Sequence, residues 1–125
     1  MYRLALRREF EARHFLVGVG DGPESVDHAH PYRLEWILEG PRLDAHGYLV
    51  DLIEVADHLE ATLDRFRGAR LNDLPEFAGL NPSLEHFARV LAERLGAPLA
   101  GRHLGAHTVR LWESDEAWAS YRVEL

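Results

Sequence analysis

Two histidines, His28 and His30, lie two residues apart in the segment HAHPYRLEW, where apolar and polar residues alternate. Such alternation is typical of a β-strand, in which residues i and i+2 point to the same side. The two imidazoles could therefore bind one metal ion, although an H-x-H pair is more often a pair of exposed strand histidines. His14 strengthens the metal hypothesis, because it ends an earlier strand pattern and the loop after it returns to His28.

In an antiparallel hairpin the end of one strand lies beside the start of the next, so the three histidines are expected to meet at the hairpin mouth. Three protein nitrogens and a water molecule are typical ligands of a catalytic zinc ion. Such an ion would act as a Lewis acid on a substrate oxygen. We therefore predict a zinc site formed by His14, His28 and His30.

Two glutamates could complete a site at this mouth. Glu24 lies in the loop before His28, where a carboxylate can serve as a general base, although its position alone favours a solvated loop residue. Glu113 follows Val109 and Leu111 on one face of a later strand, and a partly buried carboxylate there needs a partner. It could accept two N–H hydrogen bonds from an aminopyrimidine ring; the alternative is an outward-facing strand residue.

The patterns around these residues predict six main elements. Alternation of apolar and polar residues predicts strands over residues 2–14, 28–39, 107–114 and 117–125. Helical periodicity predicts helices over 48–66 and 81–96. Asp51 is expected to cap the first helix, Pro82 to occupy the first position of the second, and Gly96 to end it. The order β-β-α-α-β-β predicts an α+β fold, with an antiparallel sheet and two helices on one face.

Composition restricts the classes of function. The chain has 125 residues and a net charge of −7, which suits one domain over residues 1–125 and makes nucleic acid an unexpected partner. It has no cysteine, so disulfides and thiolate nucleophiles are excluded, and any metal must be bound by His, Asp or Glu. It has no lysine either, which excludes Schiff-base chemistry. The N-terminus is not a signal peptide and no apolar run spans a membrane, so we expect a soluble, cytoplasmic protein.

Five motifs resemble those of the 6-pyruvoyltetrahydropterin synthase and 6-carboxytetrahydropterin synthase family, which includes an enzyme of the queuosine pathway. They occur in the family's order and extend over nearly the whole chain: FEARH, HAHPY, GYLVDL, LND…NPSLE and LWES. The resemblance implies a tunnelling fold (T-fold), in which the sheets of several subunits join into a barrel, and a homohexamer built from two trimers. It also implies that His14, His28 and His30 hold zinc and that Glu113 binds the pterin ring of 7,8-dihydroneopterin triphosphate.

Two positions depart from the family pattern. Glu24 stands where the family has its catalytic cysteine. The family also pairs an aspartate with a histidine for proton transfer; Asp64 matches the aspartate, but the histidine position holds Arg65, or Gly68 or Ala69 if the LND motif is aligned instead. On this resemblance Glu24 and Asp64 are the candidate catalytic residues. Some family members with glutamate at the first position resemble aldolases, which cleave the side chain to give 6-hydroxymethyl-7,8-dihydropterin. That chemistry needs a base and a stabilised oxyanion, and Glu24 could be the base if it is partly buried.

Two other functions stay open at this point. Arg65, Arg67 and Arg70 could bind an additional anionic group on a different pterin-like substrate, although cations also suit the C-terminal end of a helix. Alternatively, the absence of the relay histidine is compatible with a non-catalytic protein that binds zinc and a pterin or purine.

Overall fold

The first two strands form one long hairpin in the computed structural model, which describes all 125 residues. The strands β1 (Tyr2–His14) and β2 (His28–Gly40) pair antiparallel over their full length, with His14 opposite His28. The side chains of these strands that join the main core carry even numbers, as the predicted alternation requires: Leu6, Phe10, Ala12, Tyr32, Leu34, Trp36 and Leu38. Ile37 and Glu35 are also buried, on the opposite face of the sheet. Burial of the core face fixes the register, because a slip of one residue would turn every one of its core side chains away from the helices.

Two shorter strands, β3 (Ala106–Trp112) and β4 (Trp118–Glu124), complete a sheet of order β1-β2-β3-β4 in which all neighbours are antiparallel. The last residue of β3 pairs with Arg33 of β2. The first residues of β2, 28–32, therefore have no partner on that side, and the sheet has a notch there. Glu113 lies at this notch, one residue after the end of β3, whereas the sequence pattern predicts it inside a strand over residues 107–114.

Two helices, α1 (Leu52–Asp64) and α2 (Leu84–Gly96), follow the first hairpin and precede the second. The predicted order β-β-α-α-β-β and the α+β class are confirmed. Short 3-10 turns lie at Pro23–Ser25, Leu71–Asp73, Pro75–Phe77 and Ala97–Leu99. Neither helix is both long and apolar enough to cross a bilayer.

The helix caps explain where both helices begin. Asp51 caps α1 as predicted, because its carboxylate accepts the backbone N–H of Ile53 at 3.0 Å, and the helix starts later than residue 48 for this reason. The prediction that Pro82 is the first residue of α2 is wrong. The hydroxyl of Ser83 accepts the backbone N–H of His86 at 3.2 Å, which makes Ser83 the N-cap and leaves Pro82 outside the helix.

The core is a cluster of 25 buried residues between the sheet and the helices, which therefore pack on one face of the sheet. The opposite face carries rows of charge across the strands. Glu35 lies there between Arg7, at 3.1 Å, and Arg110, at 3.5 Å, so this face is a network of ion pairs on the side away from the helices.

One histidine is fully buried in the core. The Nδ1 atom of His107 accepts the indole N–H of Trp36 at 3.0 Å, which places the ring proton on Nε2, where it has no partner. Burial lowers the pKa of His107 to about 4, so the ring is neutral in the folded protein. Its Nε2 faces Gly96 so closely that a Cβ atom at residue 96 would lie 2.6 Å away.

We expect replacement of Gly96 by alanine to destabilise the protein by about 1–3 kcal/mol, as overpacking of a core does. Alanine normally stabilises a helix relative to glycine by up to about 1 kcal/mol, so the sign of the effect is diagnostic. Denaturant unfolding of Gly96→Ala measures it. In a His107→Ala background, where the facing ring is gone, the same substitution should be neutral or stabilising; an equal loss in both backgrounds would contradict this explanation.

Candidate functional site

Three imidazole rings meet at the mouth of the β1–β2 hairpin. The ring centroids of His14 and His28 are 4.7 Å apart, and the ring of His30 lies 5.7 Å from the first and 5.9 Å from the second. The strand register accounts for this, because it sets His14 directly opposite His28 and leaves His30 on the same side of β2. The structure thus brings together the three histidines that the sequence analysis selects.

A backbone carbonyl faces the Nδ1 atom of each of these rings. The partners are Pro82 for His14 at 3.0 Å, Val26 for His28 at 2.7 Å, and Pro31 for His30 at 3.1 Å. Since a carbonyl can only accept, we place the proton of each neutral ring on Nδ1. The three Nε2 atoms are then left with free lone pairs, the arrangement that metal-binding histidines show when the second nitrogen donates to a carbonyl.

The distance between two of these lone pairs suits a shared metal ion. Nε2 of His14 and Nε2 of His28 are 3.2 Å apart. Two nitrogens on one tetrahedral zinc ion lie about 3.3 Å apart. As the side chains stand, no group of three His, Asp or Glu residues is placed to hold a metal, and the ring of His30 stacks on Tyr32 instead. His30 is only half-buried, so a rotation of its ring could complete a three-nitrogen site.

Burial keeps His14 in the form that binds metals. It lowers the pKa of this ring below its ordinary value, and the charges of His28 and His30 lower it further. The hydrogen bond to Pro82 and the charge of Glu113 act in the opposite direction. His14, the most buried of the three rings, is therefore neutral over a wider pH range than a solvated imidazole.

Glu113 lies beside the histidines at the notch of the sheet. It is half-buried and lines a cleft of about 480 Å³ together with Phe10 and Tyr32. Burial, and after it the charge of Glu113, raises the pKa of Tyr32 far above its ordinary value. The phenol oxygen of Tyr32 is 3.3 Å from Nδ1 of His14, so a protonated phenol connects the carboxylate cleft to the histidine cluster.

The sequence motifs do not single out Tyr32 as a site residue, although it lies on the same face of the strand as His28 and His30. Its shared face is the one sequence feature that could have identified it. The contact with His14 comes from the register of the hairpin, which the sequence pattern alone does not specify.

Glu24 lies in the 3-10 turn Pro23–Ser25, on the loop that leads from β1 to β2. Its backbone carbonyl accepts the N–H of Leu16 at 2.6 Å, which ties the turn to the residues after His14. The side chain is exposed in the single chain, so the partial burial that a general base needs is not supplied by this chain alone.

Asp64 lies at the C-terminal end of α1. Its carboxylate is exposed and binds Arg67, which also binds Glu60. The structure therefore does not join Asp64 to the histidines by any hydrogen bond.

The three arginines that follow α1 also have carboxylate partners within the chain. Arg65 binds Glu76, and the pKa of that carboxyl is lowered to about 2, mainly by this hydrogen bond. Arg70 binds Asp73 through two nitrogens, at 2.9 and 3.0 Å. With Arg67 also paired, this segment offers no unpaired guanidinium for an anionic substrate, which favours a structural role for the cluster.

Comparison with known proteins agrees with the fold and motifs. The sequence model of the 6-pyruvoyl tetrahydropterin synthase family matches residues 3–124. Among curated proteins, no sequence matches this chain significantly.

Solved structures of 6-pyruvoyl tetrahydropterin synthases share the fold at low sequence identity. The Plasmodium falciparum protein has a TM-score of 0.80 at 14% identity, covering 99% of this chain and 98% of that chain. The Caenorhabditis elegans protein has a TM-score of 0.76 at 19% identity, with the same coverage. A Plasmodium vivax enzyme, described as a mutant in which a catalytic glutamate is replaced by alanine, has a TM-score of 0.75 at 16% identity, again covering 99% and 98%.

Proposed function

Because the chain belongs to the 6-pyruvoyl tetrahydropterin synthase family, we propose that it is a zinc-dependent lyase that acts on the side chain of a dihydropterin. The candidate substrate is 7,8-dihydroneopterin triphosphate or 7,8-dihydroneopterin. The observation that carries the proposal is the cluster of His14, His28 and His30, in which every Nδ1 meets a backbone carbonyl, so that each Nε2 can offer its lone pair to a shared ion. A carboxylate, Glu113, lies beside that cluster in a cleft large enough for part of a small ligand.

The three histidines would hold the zinc ion through Nε2. When bound, zinc supplies Lewis-acid polarisation of the substrate's side-chain hydroxyl groups. The carbonyls of Pro82, Val26 and Pro31 fix which nitrogen of each ring is free.

Glu113 would bind the pterin ring. Its carboxylate can accept two N–H hydrogen bonds from the aminopyrimidine part of the ring, and a charge-assisted pair of this kind is both strong and directional. The cleft is also lined by Trp112, whose half-buried ring provides apolar contact area for a flat ligand. This arrangement would place the ring in the cleft and its side chain toward the histidines.

Glu24 would act as the general base in a retro-aldol cleavage. It takes the proton from the hydroxyl on the second side-chain carbon, and the O–H electrons form a carbonyl as the bond to the first carbon breaks. The electron pair of that bond passes into the dihydropterin ring, and a proton then adds to the first carbon. The products are 6-hydroxymethyl-7,8-dihydropterin and a two-carbon aldehyde, which carries the phosphates when the substrate is the triphosphate.

Two observations support a glutamate in this role. A glutamate is described as the catalytic residue of the Plasmodium vivax enzyme. In addition, side-chain cleavage requires fewer proton transfers than triphosphate elimination with tautomerisation, which suits a chain that lacks the relay histidine of the family. Because Glu24 is exposed in the single chain, its burial would come from the substrate or from a neighbouring subunit.

We expect the metal-free protein to bind one zinc ion per chain. Loss of an outer-sphere partner typically weakens metal binding by about 10–100-fold. Replacement of His28 or His30 by glutamine removes a ligand itself, so it should weaken zinc binding by more than about 100-fold. Competition titration against a chelating dye measures the dissociation constant. The control is His103→Gln, an exposed histidine outside the cluster, which should bind as the wild type does. A wild type without zinc affinity, or a control with the same loss, would contradict the site.

We expect zinc-loaded protein to convert 7,8-dihydroneopterin triphosphate, 7,8-dihydroneopterin or both into 6-hydroxymethyl-7,8-dihydropterin, as mass spectrometry of the products can show. Glu24→Gln should lower kcat by about 100-fold or more, the usual contribution of a general base, with zinc content unchanged. The matched control is Asp21→Asn, an exposed carboxylate in the same loop.

Other products would separate the alternatives. A 6-pyruvoyl or 6-carboxy product would mean that Glu24 takes the place of the thiolate in the ordinary family reaction. Tight, stoichiometric pterin binding without any product would identify a non-catalytic binding protein.

We further propose that the active form is a homo-oligomer, a hexamer of two trimers by resemblance to the family. β1 and β4 are the two edges of the sheet. Since the four strands alternate in direction, β4 of one copy can pair antiparallel with β1 of the next, and such a head-to-tail contact can close into a ring. Exposed apolar residues lie along both edges: Tyr2, Tyr48, Leu52 and Ile53 near β1, and Trp118 and Tyr121 on β4.

We expect sedimentation velocity at micromolar concentration to give a mass several times the 14.3 kDa of one chain. Tyr121→Glu should shift the distribution toward the monomer, because it places a charge in the proposed apolar contact. Ser120→Glu, on the opposite face of β4, should shift it less. A monomeric wild type would contradict the assembly.

A further inference from the structure

Residues 15–17 continue the chain directly after His14 and are held by two asparagine side chains. The carboxamide of Asn72 accepts the N–H of Phe15 at 3.0 Å and donates to its carbonyl at 2.9 Å. The carboxamide of Asn81 does the same for Val17, at 2.7 and 2.8 Å. Each carboxamide thus makes the pair of hydrogen bonds that a neighbouring strand would make, because it offers a donor and an acceptor as a peptide group does.

The residue between the two clamped ones is bonded to the opposite side. Leu16 donates its N–H to the carbonyl of Glu24 at 2.6 Å. The asparagines hold Phe15 and Val17 extended. In this conformation the N–H of Leu16 points to the other side and binds the turn that contains Glu24.

The same asparagines are connected to the orientation of His14. Asn81 precedes Pro82, whose carbonyl faces Nδ1 of His14. The backbone of Asn81 is itself fixed at the start of α2, because its carbonyl accepts Nδ1–H of His86 at 2.7 Å. Asn72 is part of the turn Leu71–Asp73, which is anchored by the fully buried Leu71.

The next residues of the loop, 18–21, make no hydrogen bond to the rest of the chain. Gly18 and Gly20 have positive φ angles of 79° and 91°, and a Cβ atom added at either would meet no atom within 4 Å. Val17 and Val19 are exposed. The two asparagine clamps are therefore the main contacts between this end of the loop and the helical layer.

We propose that Asn72 and Asn81 are positioning residues that fix Glu24 relative to His14. They act on the candidate base through Phe15, Leu16 and Val17. Their effect on turnover rests on the proposed lyase function, whereas their effect on the loop and on metal binding does not.

The test compares Asn72→Asp and Asn81→Asp with the wild type. Aspartate keeps the shape and the acceptor but loses the N–H donor, and its second oxygen would face a carbonyl oxygen. Hydrogen exchange of the Leu16 amide reports the loop directly, and we expect it to accelerate by about tenfold or more in either variant. Zinc affinity should fall by about 10–100-fold if the ring of His14 is released as well. With active enzyme, kcat should fall by about 10–100-fold while KM changes little, since Glu113 and its cleft are untouched.

Asp51→Ala is the matched control. It removes the cap of α1, which makes no contact with residues 15–17 or with the start of α2, so it should lower the melting temperature while Leu16 exchange and kcat stay near wild-type values. The proposal is overturned if Leu16 exchange is unchanged in both asparagine variants, or if Asp51→Ala reproduces their effects. If the wild type has no lyase activity, the proposed function fails, and the exchange and zinc measurements still decide the role of the clamps.

Discussion

The antiparallel register between β1 and β2 is the constraint on which the rest of the site depends. It sets His14 opposite His28, and it is maintained by apolar side chains of the same parity, such as Phe10 and Trp36, that are buried under the helices. A slip of one residue would expose that whole set, so burial of the core holds the imidazoles in place. The histidine cluster is therefore a consequence of the fold of the hairpin.

Orientation of the rings comes from a second source. Backbone carbonyls from three separate segments face the three Nδ1 atoms, and one of them, that of Pro82, belongs to the turn that starts α2. The position of that helix thus influences the direction of the lone pair on His14. This connects the helical layer to the sheet at the point where the chemistry is proposed, and the clamps on residues 15–17 reinforce the same connection.

The two glutamates differ in how firmly the fold holds them. Glu113 follows the end of β3 and is half-buried in the cleft, where its charge adds to burial in raising the pKa of Tyr32, which suits a group that binds and orients a ring. Glu24 lies on an exposed turn that is attached to the site by a backbone hydrogen bond. Functional residues often lie on loops that a rigid scaffold positions, so the position of Glu24 suits its proposed role.

The sequence by itself determined the six elements, the cap at Asp51 and the selection of the three histidines. These follow from local periodicity and from the fact that a hairpin returns the chain to its starting edge. Only the tertiary structure decided that Ser83 rather than Pro82 caps α2 and that His107 is buried against Gly96. The same holds for the pairing of Arg65, Arg67 and Arg70 with carboxylates. It also holds for the hydrogen bonds of Asn72 and Asn81 to residues 15–17. Several of these depend on contacts between residues that are far apart in the chain, such as Asn72 and Phe15, and the Ser83 cap depends on the conformation of a hydroxyl side chain. The pattern of polar and apolar residues predicts which face of a helix or strand is buried. It does not predict which distant residue contacts that face.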